Sequence, residues 1–270
     1  MNDDLIVTAY TVVDDVMNAL GYQDHVLAQM SGAEILTVTI VAAKYFHNNH
    51  ERALYVMIGM GYLTNKLSVS RFNRRLHKLS DWLVLLLSIL GELFATGELF
   101  IIDSMPLPVC KRVRASRCKK VRGRAYCGYC ASKREKYFGW KLHLVCTTGG
   151  LPVAFDIVPA ARHDLTPIHE LTVELPSDAR VLADKAYNSR PDEQSILDMV
   201  GVYLVPIRKE NMKPHSWADD YDLRQYRMVI ETVNSQLEKM GVQALHARTS
   251  SGFFVKVHSS LLALACANMI

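Results

Sequence analysis

The first third of the chain has the hydrophobic pattern of helices, with apolar residues recurring at steps of three and four. In the first predicted helix these positions are Leu5, Val12, Val13, Val16 and Leu20. Ser31 and Glu34 have the spacing of a capping box and predict the start of a second helix over residues 33–46. A third helix over 51–60 and a fourth from Ser68 or Ser70 to Phe94, broken near Ser80, complete a helical region over residues 1–96.

Residues 97–270 switch between short apolar runs and helical periods, which predicts an α/β domain. The predicted strands cover 99–102, 139–147, 151–158, 180–183 and 202–207, and the helices cover 166–175, 192–200, 223–240 and 252–267. We expect Pro106 and Pro108 to end the first strand. This order predicts a mixed sheet flanked by helices, in which the strands 99–102 and 180–183 lie side by side.

Acidic residues follow both of these neighbouring strands. Asp103 comes directly after Leu99–Ile102, and Asp184 comes directly after residues 180–183. Glu231 lies on the polar side of a late helix that can pack across the same sheet edge. Clustered carboxylates repel one another unless a cation lies among them, and ligand sets made of oxygen atoms suit Mg²⁺ or Mn²⁺.

Each of these acids also has a purely structural interpretation. Asp103 can cap a turn at residues 104–106, and Asp184 can cap a turn at residues 186–189. Glu231 can form an ion pair with Arg227, four residues earlier on its helix. The pattern of a single sequence leaves both sets of interpretations open.

Charge is concentrated in one segment, between Lys111 and Lys136. It contains eleven Lys and Arg residues and one acid, a formal charge of +10, which leaves −6 for the rest of this +4 chain. Few apolar residues occur there, so we expect a loop or hairpin insertion over 109–138 that binds a polyanion, with DNA or RNA the commonest. The alternative is a solvated loop without a ligand.

The remaining composition bears on class and location. The chain has 270 residues, half of them hydrophobic, which is enough for a sizeable core. No signal peptide is recognised, and the most membrane-like stretch, residues 82–95, is too short to span a bilayer, so we expect a cytoplasmic protein with reduced thiols and no membrane partner. Cys127 and Cys130 form half of a zinc motif, but Cys110 and Cys118 are too widely spaced to complete the usual pattern, so no structural zinc is expected.

Three segments resemble the signature regions of bacterial insertion-sequence DDE transposases. They are Ile101-Ile102-Asp103-Ser104, Ala183-Asp184-Lys185-Ala186-Tyr187 and Arg227-x-x-x-Glu231-Thr-Val-Asn234. The chain is most similar to the family of insertion sequence nine-eight-two, on further segments at 128–133, 139–143, 161–164, 204–208 and 245–248. Related transposases carry Tyr-x2-Arg-x3-Glu-x6-Lys on the last helix; here Arg227 and Glu231 match, Arg224 replaces the tyrosine, and Lys239 falls one residue late.

The resemblance implies a ribonuclease-H-like catalytic domain over 97–270, preceded by a helical region over 1–96 that is a candidate for binding the DNA ends. It implies two Mg²⁺ or Mn²⁺ ions held by the catalytic residues Asp103, Asp184 and Glu231. It also implies DNA strand cleavage and strand transfer on double-stranded DNA, by a protein expected to be a homodimer when DNA-bound. The candidate DNA-binding residues are Lys111, Arg112, Arg114, Arg117, Lys119, Lys120, Arg122, Arg124 and Arg227.

Two other functions fit the same residues. A metal-dependent nuclease of the same fold would cut DNA but never join it. A DNA-binding regulator would use the basic segment and keep the carboxylates for structural purposes. The basic segment argues against a glycosidase, which also relies on two carboxylates.

Overall fold

The computed structural model describes residues 1–64, 67–131 and 133–270. The chain divides into two compact units, Ser88–Ser235 and Met1–Leu87 together with Gln236–Ile270. The last 35 residues therefore belong with the N-terminal helices rather than with the sheet. The division into functional domains at residue 96 stays a prediction, because packing alone does not assign a function.

The unit formed by the two ends of the chain is helical. Its helices are α1 Asp3–Ala19, α2 Gly32–Phe46, α3 His50–Gly59, α4 Val69–Lys78 and, at the carboxyl end, α9 Ser250–Asn268. α5, Ser80–Phe94, begins in this unit and ends in the other. The Ser31 side chain accepts from the Glu34 N–H and the Glu34 carboxylate accepts from the Ser31 N–H, so the capping box is present as predicted.

One helix of the described residues, α9, is long and apolar enough to cross a membrane by length and composition. About 61% of its most apolar window is buried within the protein, so it is weak support for a membrane span. The apolar stretch identified in the sequence, 82–95, lies almost entirely on the shorter helix α5.

The other unit is built on a mixed sheet. Its strands are β1 Leu99–Lys111, β2 Cys127–Cys130, β3 Glu135–Thr147, β4 Pro152–Pro159, β5 Arg180–Ala183 and β6 Tyr203–Pro206, followed or separated by the helices α6 Ile168–Val173, α7 Arg190–Val200 and α8 Trp217–Lys239. The order is β2-β3-β1-β5-β6, with β4 also paired to β3. β3 runs antiparallel to its neighbours, whereas β1, β5 and β6 are parallel. The fold is the predicted α/β, ribonuclease-H-like arrangement.

The alternation of side chains along β1 and β5 separates two faces of the sheet. Phe100 and Ile102 point into a core with Ile168 of α6 and Ile196 of α7. Ile101 belongs to the opposite face, where the side chains of α8 approach. Asp103 shares the face of Ile101 by the same alternation, which directs it toward α8.

The prediction that β1 ends at Pro106 is wrong. The strand continues to Lys111, with an irregularity between Pro108 and Cys110, and pairs with β3 along most of its length. β5 pairs only with residues 99–102, so the other edge of β1 is not occupied by β5 beyond Ile102. Proline is tolerated where its nitrogen faces such an edge, because no ladder hydrogen bond is lost.

The basic insertion has more local structure than a loop. Short 3-10 helices cover Arg112–Arg117 and Arg124–Tyr126, and β2 then pairs with the first residues of β3 as a hairpin. The helix predicted over 166–175 is shorter, Ile168–Val173, and is not capped by Asp164 or Thr166 because Pro167 occupies the N-cap position. Ser132 of the motif at 128–133 lies outside the described residues.

Two helical glycines provide a test of the packing between α5 and β4. A Cβ on Gly91 would overlap the carbonyl oxygen of Val153, whereas a Cβ on Gly59 of α3 would meet nothing within 4 Å. We expect Gly91→Ala to lower the free energy of unfolding by about 1–3 kcal/mol, because the backbone must shift. Gly59→Ala should leave it unchanged or raise it by up to about 1 kcal/mol, because alanine favours a helix. Urea unfolding followed by circular dichroism measures both, and equal effects would contradict the packing described.

Candidate active site

The parallel pairing of β1 and β5 sets the positions of two carboxylates. The last paired residues are Ile102 and Ala183, and Asp103 and Asp184 are the next residue on each strand. Beyond this point the two chains diverge, as β1 continues and residues 185–187 form a single helical turn. The negative charge of Asp184 acts on Asp103 across this gap. The structure therefore places the two aspartates beside each other, although Asp103 lies within β1 rather than at its end.

Both aspartates line a cleft of about 100 Å³ between the sheet and α8. Its floor is apolar and includes Leu182 of β5 and Ile230 of α8. Glu231 and Arg227 of α8 line the same cleft. The three acids identified in the sequence therefore border one cavity.

Asp103 is the most buried of the three acids. Burial raises its pKa to about 6, and the negative charges of Asp184 and Asp164 add to the rise. Two hydrogen bonds oppose it: the Ser104 N–H donates to Oδ1 at 2.7 Å, and the Asn234 amide of α8 donates to Oδ2 at 2.8 Å. These donors hold the carboxylate in one orientation while leaving its charge only partly compensated.

Glu231 has a different environment. Its side chain is 60% exposed, and its Oε1 accepts from Arg227 Nε at 3.0 Å, the pairing that was the structural alternative. Asp184 is exposed and makes no side-chain cap to the turn that follows it, so the capping interpretation does not hold for that residue. Among the described residues, no three His, Cys, Asp or Glu side chains are close enough together to hold a metal ion.

The donor set nevertheless fits a divalent cation of the Mg²⁺ type. All three acids provide oxygen atoms, the ligands that Mg²⁺ and Mn²⁺ prefer. Asp103 is a partly buried carboxylate whose raised pKa reports a charge without a cationic partner. A cation bound between Asp103 and Asp184 would offset the repulsion between these two carboxylates. Glu231 would become a further ligand only after its ion pair with Arg227 breaks.

A buried polar layer supports the cleft from the sheet side. The ring of His143 on β3 lies 2.8 Å, through Nδ1, from the hydroxyl of Tyr187, three residues after Asp184. Its Nε2 lies 3.8 Å from Asp164 Oδ1, which in turn accepts from Lys141 Nζ at 2.8 Å. Burial lowers the pKa of His143 to about 4, so the ring is neutral near pH 7. It therefore positions Tyr187 and is not exposed to the cleft as a base.

Sequence reasoning missed the contacts of Asn234 and Tyr187. Asn234 was one of the polar residues of the last helix, three residues after Glu231, and that spacing was the available signal that it faces the same site. Tyr187 is the last residue of the signature segment at 183–187. Its complete burial shows that it belongs to the core beneath Asp184.

The basic insertion is exposed to solvent. Lys111 pairs with Glu135 at 3.6 Å, and both side chains remain more than half exposed. The other candidate DNA-binding residues of this segment are exposed except Lys120, which is half-buried; they are Arg112, Arg114, Arg117, Lys119, Arg122 and Arg124. Exposure to solvent does not identify what these side chains bind, so DNA binding by these residues stays a prediction.

The four cysteines of the insertion lie on two strands and in the segment between them: Cys110 is on β1, Cys127 and Cys130 are on β2, and Cys118 follows the short helix Arg112–Arg117. Cys110 and Cys127 both lie opposite Phe138, on the two strands that flank β3, which separates them by two strand spacings, about 9.6 Å. Cys118 is a hydrogen-bonding neighbour of Cys110. The absence of a structural zinc stays a prediction.

The pKa of Asp103 predicts an effect of pH on stability. Since the folded protein binds this proton more tightly than the unfolded chain, stability falls as pH rises from about 4 to about 6. In EDTA, Asp103→Asn should therefore raise the free energy of unfolding at pH 7.5, by up to about 3 kcal/mol, and have little effect at pH 4. Thermal unfolding at both pH values measures this. Asp198→Asn, at an exposed acid of α7, is the matched control, and an equal gain for both variants would contradict the assignment.

A comparison with known families assigns the chain to one of them. The family model described as a transposase DDE domain matches residues 95–266, which include all three acids of the cleft. No match was found among curated proteins or among solved structures. Because the family match covers more than half of the chain, the protein belongs to the transposase DDE domain family, whose members are transposases that act on DNA.

Proposed function

We propose that the protein cuts DNA at the ends of an insertion sequence and joins the freed ends to target DNA, in a reaction that depends on divalent metal ions. The observation that carries this proposal is the placement of Asp103 and Asp184 directly after a pair of parallel strands, with Glu231 on the same cleft. We further propose membership in the family of insertion sequence nine-eight-two, on the segments by which the sequence resembles it.

The ligands proposed for two Mg²⁺ or Mn²⁺ ions are Asp103, Asp184 and Glu231. When bound, such ions activate the attacking water or hydroxyl group and stabilise the departing oxygen of a phosphodiester. Asp103 is suited to be the shared ligand, because it lies beside Asp184 at the end of the β1–β5 pairing and lines the same cleft as Glu231. Asn234 holds its Oδ2, which restricts the carboxylate to one orientation.

Arg227 and Glu231 are proposed to exchange partners when DNA binds. In the free protein they form an exposed ion pair on one helix, worth only a few tenths of a kcal/mol, so separating them is easy. Release of Glu231 toward the aspartates leaves the Arg227 guanidinium free to bind the scissile phosphate. No serine or tyrosine nucleophile is assigned: water attacks first, and the freed 3′-OH then attacks target DNA in the same cleft.

Two basic surfaces are proposed to hold the DNA. The insertion provides phosphate contacts that carry no sequence information. In the helical unit, α4 carries Arg71, Arg74 and Lys78 on the wall of a cavity of about 720 Å³ that also contains Trp82. Arg75 is engaged with Asp24 at 2.6 Å, which leaves the other three cations for a ligand. This surface is the proposed site for the element ends.

We also propose that the protein is cytoplasmic, binds no membrane, and acts as a homodimer on DNA, because two element ends must be brought together for one insertion. The location follows from the DNA substrate. A homodimer follows from the need to hold two element ends at once, with one copy of the chain for each end.

The catalytic assignment predicts the behaviour of three variants. We expect Asp103→Asn, Asp184→Asn and Glu231→Gln each to lower cleavage more than about 100-fold, since even the outer partners of a metal site contribute 10- to 100-fold. The assay uses a DNA fragment carrying both ends of the element, with Mg²⁺ or Mn²⁺, and gel analysis separates cut strands from strand-transfer products. Asp198→Asn should retain full activity.

Other outcomes of this assay are equally informative. Cut strands without joined products would favour the nuclease of the same fold. A wild-type protein that binds the ends but never cuts would favour the regulator. Full activity of Asp103→Asn would overturn the metal site.

The two basic surfaces make separable predictions. Replacing Arg112, Arg114 and Arg117 by glutamine should weaken binding to all duplexes similarly and reduce the salt dependence of the affinity by about three phosphate contacts. Replacing Arg71, Arg74 and Lys78 should instead reduce the preference for element ends over unrelated DNA. Fluorescence anisotropy at several salt concentrations measures both. Loss of end preference on replacing the insertion residues alone would contradict this division.

A further inference from the structure

The outer side of α8 carries a stripe of large exposed side chains that the proposed reaction leaves unused. Trp217, Tyr221, Arg224 and Met228 are separated by steps of four, three and four, which places them on one face of the helix. Trp217 is 81% exposed, Tyr221 54% and Met228 72%. A contiguous apolar stripe of this kind marks an interaction surface. It is named the α8 stripe below.

The aromatic part of the α8 stripe is already arranged as a stacking platform. The rings of Trp217 and Tyr221 are 5.6 Å apart between centroids and inclined by only 23°. Arg224 follows one turn later; it is exposed and has no partner among the residues that the structure describes. Two stacked rings next to a guanidinium group are suited to planar bases joined by a phosphate backbone.

The charges around the stripe are mixed. Asp219 and Asp222, on the neighbouring face of α8, are both paired with Arg180, at 2.6 and 2.7 Å. Arg180 therefore compensates about half of the charge of these two acids, and Asp220 is a further acid near the stripe. Arg224 is the cation of the stripe itself, and Arg227 becomes available toward the cleft once its pair with Glu231 breaks.

The α8 stripe leads directly to the candidate active site. Glu231 continues the same spacing, three residues beyond Met228. At 1.5 Å per residue, Tyr221 and Trp217 lie about 15 and 21 Å along the helix from Glu231. That distance corresponds to about four to six nucleotides at the 3.4 Å rise of a duplex strand, and an extended unpaired strand needs fewer. A strand that passes through the cleft can therefore reach the aromatic pair.

We propose that the α8 stripe binds an unpaired stretch of the DNA strand beside the cleavage point, with bases stacked on Trp217 and Tyr221. This inference rests on the proposed function, since the cleft must bind DNA. The unpaired state is required because the faces of paired bases are covered by their neighbours in a duplex. The substrate of the cleft is then DNA whose strands have separated next to the scissile phosphate.

The test is binding without catalysis, so that it does not depend on cleavage. In EDTA, wild-type protein is titrated with fluorescein-labelled twelve-residue oligothymidylate and with a twelve-base-pair duplex. We expect the double variant Trp217→Ala/Tyr221→Ala to bind oligothymidylate at least ~5-fold more weakly, with duplex affinity unchanged. Tyr55→Ala removes an aromatic residue of α3 that is 76% exposed, and it should change neither affinity.

Tryptophan fluorescence reports the stacking itself. The chain has three tryptophans, of which Trp140 is buried and Trp217 is highly exposed. Oligothymidylate should quench the wild-type emission. Trp217→Phe should lose most of this quenching and keep the affinity within about twofold, because the phenyl ring still stacks.

Three results would overturn the inference. The first is no measurable binding of oligothymidylate by the wild type. The second is an equal loss of single-strand and duplex affinity in the double variant. The third is unchanged DNA binding by the double variant together with a lower molar mass by light scattering. The last result would make the stripe a contact between copies of the chain. The titrations contain EDTA and do not measure cleavage, so failure of the cleavage proposal and failure of this one are distinguishable.

Discussion

The parallel pairing of β1 with β5 is the constraint on which the candidate site depends. It ends at Ile102 and Ala183, so the next residue on each strand is an aspartate at the point where the chains separate. Burial raises the pKa of Asp103, and the repulsion between the two neighbouring carboxylates adds to the rise. The metal ions proposed above would offset this repulsion if they bind between the two carboxylates. Membership in the transposase DDE domain family agrees with this interpretation.

α8 complements the sheet by presenting different functions on different faces. Leu223 and Ile230 cover the apolar floor of the cleft, and Asn234 fixes the orientation of Asp103. The Arg227–Glu231 pair stands at the rim, exposed and weak enough to change partners. A single helix therefore buries apolar surface, orients the Asp103 carboxylate and carries Glu231 in an ion pair that can break. The aromatic residues Trp217 and Tyr221 lie further along its outer side.

The agreement between sequence and structure differs from element to element. The capping box at Ser31, the break at Ser80 and the strand 180–183 were predictable because local hydrogen bonds and hydrophobic period determine them. The length of β1 was not predictable. Pro106 and Pro108 end a strand only if their nitrogens face a neighbouring strand, and which strand lies at each edge of β1 depends on the tertiary structure. The hydrogen bond between His143 and Tyr187 was also not predictable from the sequence, because it joins residues 44 positions apart and depends on the tertiary structure.

The sequence by itself determined the order of elements, the mixed character of the sheet and the identity of the three acids, since these follow from period, turn residues and motif spacing. Only the tertiary structure decided what each acid does in the free protein. Register and burial made Asp103 a perturbed carboxylate held by two donors, and left Asp184 exposed beside it. Glu231 is the exception, because its ion pair with Arg227 follows from their spacing of four residues on one helix.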